Sequence, residues 1–283
     1  MNPEFFVDEQ SWKEHINKIK SSVKPLDKDE SFFISSIIDS LTDYLSKINE
    51  RFTLLFSGGA DSTLLAVLAK KAKRNFELLN VSFEDSEDLR FARRFAEKYG
   101  FEYREKILDE NEVLSAIKVV SELFKDKEFV VKELACFEYL ALKDSLNLVV
   151  SGTGAEEIFA GYQRHLLAED VNEECWTGLE NIFWQRDLYR VKVLSNITKR
   201  KVLLPFLDEN LIRIAMSMPS EFKIKDNFRK YSIAKALQTL AIPEEYAFRK
   251  KKAAQYGSGL DKFFEKLAKK KGLKNKAELF GLL

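Results

Sequence analysis

The run Phe52-Thr53-Leu54-Leu55-Phe56-Ser57-Gly58-Gly59-Ala60-Asp61-Ser62-Thr63 carries an apolar segment into a glycine pair, and Leu64, Leu65, Leu68 and Ala72 then recur at helical spacing. That order reads as strand, glycine turn, helix. A helix N-terminus presents unpaired N–H groups and the positive end of its dipole, and two glycines let backbone approach an anion without a Cβ in the way. Ser57 and Ser62 add hydroxyl donors. Asp61 repels phosphate unless a cation lies between them, so its place in the turn argues for Mg²⁺ bridging carboxylate and nucleotide. An ordinary turn with a Ser/Asp cap is the plainer alternative for these residues. No Gly-Lys-Ser/Thr follows the glycines, and the third glycine of a dinucleotide fingerprint is missing.

Downstream, Glu77 to Phe83 carries Leu78, Leu79, Val81 and Phe83, which predicts a second strand. Leu89, Ala92, Phe95, Ala96 and Tyr99 give the next helix one apolar face, stopped by Gly100. Strand and helix in alternation imply right-handed βαβ units, hence an α/β fold with a parallel sheet flanked by helices. Ligands on such sheets gather at the carboxyl ends of strands, where Ser57 and Val81 to Ser86 fall. A helix over about Lys132 to Ser145 precedes a short buried strand, Leu148-Val149-Val150, and a second glycine-rich turn follows: Ser151-Gly152-Thr153-Gly154-Ala155-Glu156-Glu157. It is expected to face the first turn across the sheet's ligand edge, although Glu156 and Glu157 also suit a helix dipole without any ligand.

Upstream, residues 1 to 30 read as polar and irregular, and Ile34, Ile37, Ile38, Leu41, Leu45 and Ile48 mark an amphipathic helix that delivers the chain to the first strand. From Leu166 onward helical patterns take over. The expected organisation is a helical lead-in over 1–50, a nucleotide-binding α/β core over 51–165 and a helical C-terminal part over 166–283. With 46 Lys+Arg against 45 Asp+Glu the formal net charge is +1, which gives no global attraction for nucleic acid or anionic lipid. Cys136 and Cys175 lack CxxC spacing, so neither a disulfide framework nor a zinc site is indicated. Met1 to Trp12 has no basic n-region, and no long uncharged apolar run appears, so the expected location is cytoplasmic. His15 and His165 form no recognisable triad and are expected to be structural.

Ser57 to Ser62 resembles the PP-loop, Ser-Gly-Gly-x-Asp-Ser, of the N-type ATP pyrophosphatases. With both glycine turns taken together, the chain is similar to the synthetase domain of asparagine synthetase and its β-lactam and carbapenam synthetase relatives. The resemblance implies ATP and Mg²⁺ as cofactors, with Ser57, Gly58, Gly59, Asp61 and Ser62 around the pyrophosphate. It places the backbone of Phe56 and Val81 against the nucleotide, and Ser151 and Gly152 beside it. Asp61 and Glu156 become metal ligands, Glu156 standing where the family carries aspartate. Phe248-Arg249-Lys250-Lys251 resembles the family's Trp-Arg-x-Lys, which puts Lys251 in the role of the essential lysine with Arg249 as a further catalytic residue. Gly257 and Gly259 then read as a loop able to close over the site. Leu204-Pro205-Phe206-Leu207-Asp208 is similar to the family's Pro-Phe-Leu-Asp, and Asp208 equally suits a helix cap.

Three departures shape the expectation. The glutamine-hydrolysing domain does not precede this one and position 2 is asparagine, so ammonia or an amine is expected from solution or from a separate glutaminase subunit. Thr153 stands where an acid–base partner is usual, and Lys201-Val202-Leu203 replaces a Glu-Ala-Arg stretch. The expected reaction is amide formation from a small-molecule carboxylate and an amine by adenylation, forming AMP and pyrophosphate. An RNA-modifying PP-loop ATPase and a non-catalytic ATP-binding subunit are the alternatives.

Overall fold

The structure is a computed structural model and describes residues 8–249 and 254–281. Its strands are β1 Phe52–Leu55, β2 Phe76–Ser82, β3 Tyr103–Ile107, β4 Leu148–Val150, β5 Lys201–Leu203, β6 Ile224–Lys225 and β7 Phe228–Arg229. The helices up to β4 are α1 Glu9–Lys20, α2 Glu30–Ser46, α3 Ala60–Lys71, α4 Glu87–Tyr99, α5 Glu110–Leu123 and α6 Phe129–Lys143. After it come α7 Ala155–Ile158, α8 Val171–Thr177, α9 Tyr189–Thr198, α10 Glu209–Ser217, α11 Tyr231–Thr239, α12 Glu244–Ala247, α13 Ala254–Gly257 and α14 Leu260–Lys270.

β1 is apolar because it lies at the sheet's centre, paired in parallel with β2 through Leu54↔Leu78 and with β4 through Leu54↔Val150. The sheet runs β3-β2-β1-β4-β5, parallel throughout. The chain winds outward from β1 to β3, then returns to β4 on the other side of β1 and continues to β5. The order therefore reverses between β1 and β4, the position where open α/β sheets leave a crevice beyond their carboxyl ends. Both glycine turns leave the sheet there. Helices α2, α3, α10 and α11 pack against one another, and α5, α6 and α9 form a second packed group. The core is continuous from Trp12 to Phe280.

Three local features differ from the expectation. The segment read as irregular before residue 30 contains α1, capped by Asp8 and Ser11, whose Trp12, Ile16 and Ile19 are buried and whose Trp12 indole donates to Leu179 O at 2.8 Å. β3 escapes the apolar pattern because it is an edge strand, half-buried along its length, with three consecutive charges, Arg104-Glu105-Lys106, between Tyr103 and Ile107. Lys201 to Leu203 form β5, and with the β6–β7 hairpin they interrupt the helical C-terminal part. Between α8 and α9 the helix continues through two π-helical turns, Gly178–Ile182 and Trp184–Leu188. Among the described residues no helix is long and apolar enough to cross a membrane, and Cys136 and Cys175 are free, buried thiols.

Candidate nucleotide site

The first turn begins one residue past β1. Phe56 N donates to Leu79 O at 2.8 Å and Phe56 O accepts from Asn80 Nδ2 at 2.8 Å, so both backbone groups of Phe56 are held by β2. Gly58 has φ +65°, a conformation that favours glycine. Gly59 then starts α3 without a side-chain cap, which leaves the first N–H groups of the helix turned to the mouth of the turn. Ser62 Oγ donates to Gly59 O at 3.1 Å and lies 3.4 Å from Ser57 Oγ, so the two predicted hydroxyls are neighbours.

The turn is braced from behind by Arg249. Its Nη1 donates to Gly58 O at 3.0 Å and Ser57 O at 3.3 Å, its Nη2 pairs with Asp88 at 2.9 Å, and its guanidinium stacks 3.9 Å from the Phe91 ring centroid. The Arg249 and Asp88 side chains are each 4% exposed. Arg249 thus fixes the direction in which the turn's carbonyls point, and through them its N–H groups. Val81 lies buried on β2, and after it Phe83 N donates to Ser258 O at 3.0 Å. A Cβ on Gly257 would collide with the Asp88 carboxylate, so the glycine-containing segment lies directly on this side of the sheet edge.

The second turn is held by its own hydroxyls, by β5 and by the turn that follows β5. Ser151 N donates to Leu203 O at 3.0 Å, and the Ser151 and Thr153 hydroxyls are 2.9 Å apart. Gly154, at φ +102°, packs on the Pro205–Leu207 turn. α7 closes with Ala160 left-handed at φ 55° and Gly161 N donating to Glu156 O at 2.8 Å, the bond that characterises a Schellman cap. A Cβ on Gly161 would strike Glu156 Oε2, so a glycine is required where the Glu156 carboxylate folds back.

The two turns meet. A Cβ built on Gly152 would lie 3.4 Å from Asp61 Cβ and 3.8 Å from Ser62 N. Across this junction Asp61 Oδ2 and Glu156 Oε1 converge on the ammonium of Lys230, at 2.7 and 2.6 Å. Burial draws the Lys230 ammonium downward, and the two carboxylates more than reverse this, holding it above the ordinary lysine value. Behind them Glu157 is pushed up to about 8 by burial and by Asp187, and accepts from Tyr162 Oη at 2.6 Å. Burial, with Arg164 and Lys223 nearby, lowers His165 to about 4, and its Nδ1 accepts from Tyr162 N at 3.0 Å. His165 is thus buried, and these surroundings favour its neutral form.

Of the predicted residues, the structure gathers Ser57, Gly58, Gly59, Asp61, Ser62, Ser151, Gly152 and Glu156 on the two apposed turns, with Phe56 just past β1 and Val81 on β2. Asp208 caps α10 by accepting from Asn210 N at 3.1 Å. Lys251 lies outside the described residues. Sequence reasoning missed Lys230, which no spacing links to either turn, and Asn80. The signal for Asn80 was an amide inside the otherwise apolar Leu78-Leu79-Asn80-Val81, since a buried amide needs a partner.

A parallel sheet with two apposed glycine turns at its reversal point defines an α/β protein of the PP-loop class. The sequence model of the family described as Asparagine synthase matches residues 46–203 and 201–283, and the chain belongs to that family. A putative glutamine-hydrolysing asparagine synthetase of Methanocaldococcus jannaschii is 31% identical over 268 residues, covering 80% of this chain and 49% of its own length. The asparagine synthetase of Gallus gallus is 26% identical over 226 residues, 74% of this chain and 40% of its own. The chain thus spans about half the length of the curated relatives it matches, or less. Among solved structures, an NH3-dependent NAD synthetase from Campylobacter jejuni aligns over 90% of this chain and 98% of its own at 18% identity and a TM-score of 0.40.

Proposed function

We propose that the chain is an ATP-dependent, amide-forming synthetase that activates a carboxylate by adenylation, releases pyrophosphate, and passes the acyl group to ammonia or another amine. One observation carries this reading: Asp61 from the first turn and Glu156 from the second are spaced to share a single cation at the place where the turns touch. Two carboxylates complemented by phosphate oxygens and water make a suitable donor set for Mg²⁺. The added methylene of Glu156 is accommodated, because its carboxylate folds back over Gly161 to the same point that Asp61 reaches. When bound, Mg²⁺ would offset the charge of the triphosphate.

The chain's own groups supply the rest. The N-terminal N–H groups of α3 and the hydroxyls of Ser57 and Ser62 would receive the departing pyrophosphate. Ser151 and Gly152 would flank the nucleotide from the other turn. Arg249 acts here as a positioning residue, because its donors go to the carbonyls of Ser57 and Gly58. The role of Lys251, neutralising charge that builds at the α-phosphate, rests on the family motif. Catalysis then comes chiefly from positioning and charge neutralisation, as is general for transfers at phosphorus.

The test is pyrophosphate release from ATP across a panel of carboxylic acids and amines, aspartate with ammonia included, with the nucleotide product identified. AMP is expected; accumulation of ADP would sink the assignment of the broken bond. Asp61→Ala should lower pyrophosphate release by at least about 100-fold, the scale of a lost charge-stabilising group, while leaving the circular dichroism spectrum unchanged. Nucleotide binding without pyrophosphate release in any mixture would favour a regulatory ATP-binding subunit.

A further inference from the structure

Lys230 has a role that the expected chemistry does not supply. It follows the β6–β7 hairpin, whose turn residues Asp226 and Asn227 have φ 50° and 60°, and is itself left-handed at φ 55°. Arg229 Nη1 ties the hairpin to the second turn by donating to Gly161 O at 2.9 Å, and Tyr231 N donates to Lys223 O at 2.8 Å. The backbone on both sides of Lys230 is therefore anchored, while its ammonium ends a flexible four-carbon stem. In the structure that ammonium makes two charge-assisted hydrogen bonds, to Asp61 and to Glu156.

A tethered ammonium and a divalent cation compete for the same two oxygens. Free metal gains little here, because Mg²⁺ takes about six oxygens and, among the described residues, no three His, Cys, Asp or Glu side chains are grouped to hold a metal. It would also strip the ammonium of both partners in a largely buried place, which is costly. A metal that arrives on a polyphosphate brings its missing oxygens with it, and gives the displaced ammonium new acceptors.

We propose that Lys230 is a tethered cation that closes the Asp61–Glu156 pair to free divalent metal and yields it to metal bound on a polyphosphate, onto whose oxygens its ammonium then turns. This builds on the nucleotide reading above. Metal and nucleotide consequently enter as one species, and the site keeps a positive charge beside the phosphates after the metal is seated.

The experiment measures Mn²⁺ binding to the full chain without nucleotide, by electron paramagnetic resonance of the free ion. Lys230→Met is expected to bind Mn²⁺ about ten-fold more tightly than wild type or better, because the competitor is gone. Adding Asp61→Asn should remove that gain. Equal Mn²⁺ affinity in Lys230→Met and wild type, or a gain that survives Asp61→Asn, overturns the proposal. Lys230→Gln serves the same comparison should the methionine variant fail to fold by circular dichroism. Wild-type protein gives an independent readout through acetylation of Lys230 followed by mass spectrometry: Mn²⁺ alone should leave the labelling unchanged, and a several-fold change with Mn²⁺ alone also overturns it. Failure of the nucleotide reading looks different, with ATP adding nothing to Mn²⁺ in wild type while the gain in Lys230→Met persists.

Discussion

The two glycine turns both follow central strands of the sheet and are held in different ways. The first is held from a distance: its carbonyls are set by Arg249, 191 residues along the chain from Gly58, and the neighbouring end of β2 is held by Ser258. The second is held by its own hydroxyls, a helix cap inside its own α7, and the Pro205–Leu207 turn that follows β5. A site made this way joins a half held by its own residues, β5 and the turn after it to a half whose brace arrives only with Arg249. Damage confined to the chain around Arg249 and Ser258 should therefore register at the first turn before the second.

The largest expected effect breaks the remote brace. Arg249→Met removes the guanidinium paired with the buried Asp88 carboxylate, and loss of one partner of such a pair costs about 3–5 kcal/mol. Urea unfolding should show that loss, and hydrogen exchange should show faster exchange at Gly58 to Ser62 than at Ser151 to Gly154. Arg249→Lys should recover little of it, because one ammonium cannot reproduce the fork that bonds two carbonyls and a carboxylate together. Equal exchange at both turns would erase the proposed distinction.

The local half is tested at Gly154. Alanine there meets φ +102° and a contact of 2.6 Å to Leu207 Cδ2. Left-handed strain and overpacking together should lower stability by about 2–4 kcal/mol. Since the fault lies under the second turn, exchange at Gly58 to Ser62 should stay at the wild-type rate under native conditions.

This contrast also explains what was legible in the sequence. β1, β4 and their turns could be read because each is a continuous apolar run followed at once by glycines, and the chemistry of either turn is written in neighbouring residues. The apposition of the turns followed from strand alternation and the rule for ligands at parallel sheets. The brace and the bridging ammonium were not legible, because Arg249 reaches Asp88 across 161 residues and Lys230 reaches Asp61 across 169. A basic residue on a loop reads the same whether it faces water or a buried carboxylate. α1 was missed because its apolar stripe of Trp12, Ile16 and Ile19 is thin among charged residues, and β3 because an edge strand needs no apolar run.

A smaller effect comes from the anchor of α14, the helix that follows Ser258. Glu133 on α6 lies beside Asp261 and Lys276, with Glu265 near, and the Lys276 ammonium also bonds Asp261. Burial pushes the Glu133 carboxyl up to about 7, Lys276 opposing and Asp261 adding to the shift. The folded state therefore keeps a proton that the unfolded chain has released above the ordinary glutamate range. This contribution to stability is full below that range and is lost as pH rises through about 7. Glu133→Gln cannot ionise, so its stability relative to wild type should improve by on the order of 1–3 kcal/mol between about pH 5 and about pH 8. Thermal melts of both proteins at the two pH values check the sign. In wild type the same pH rise should speed exchange of the Phe83 amide, which depends on Ser258, before that of the second turn.

The smallest effect sharpens the local half. Ala160 occupies the left-handed position of the α7 cap, at φ 55°, where glycine is the usual residue. The strain of an alanine there is about 1–2 kcal/mol, whereas a glycine would cost about 0.4–1 kcal/mol through the greater freedom of the unfolded chain. The first range lies at or above the second, so Ala160→Gly should stabilise the protein by up to about 1.6 kcal/mol. A raised midpoint in urea with unchanged slope would fit relief of strain in the folded state. A lowered midpoint would mean that the cap, and with it the Glu156 carboxylate it positions, is held by packing of the Ala160 methyl, which is fully buried. The second turn would then owe its shape to the surrounding core, and the contrast between the two halves of the site would narrow.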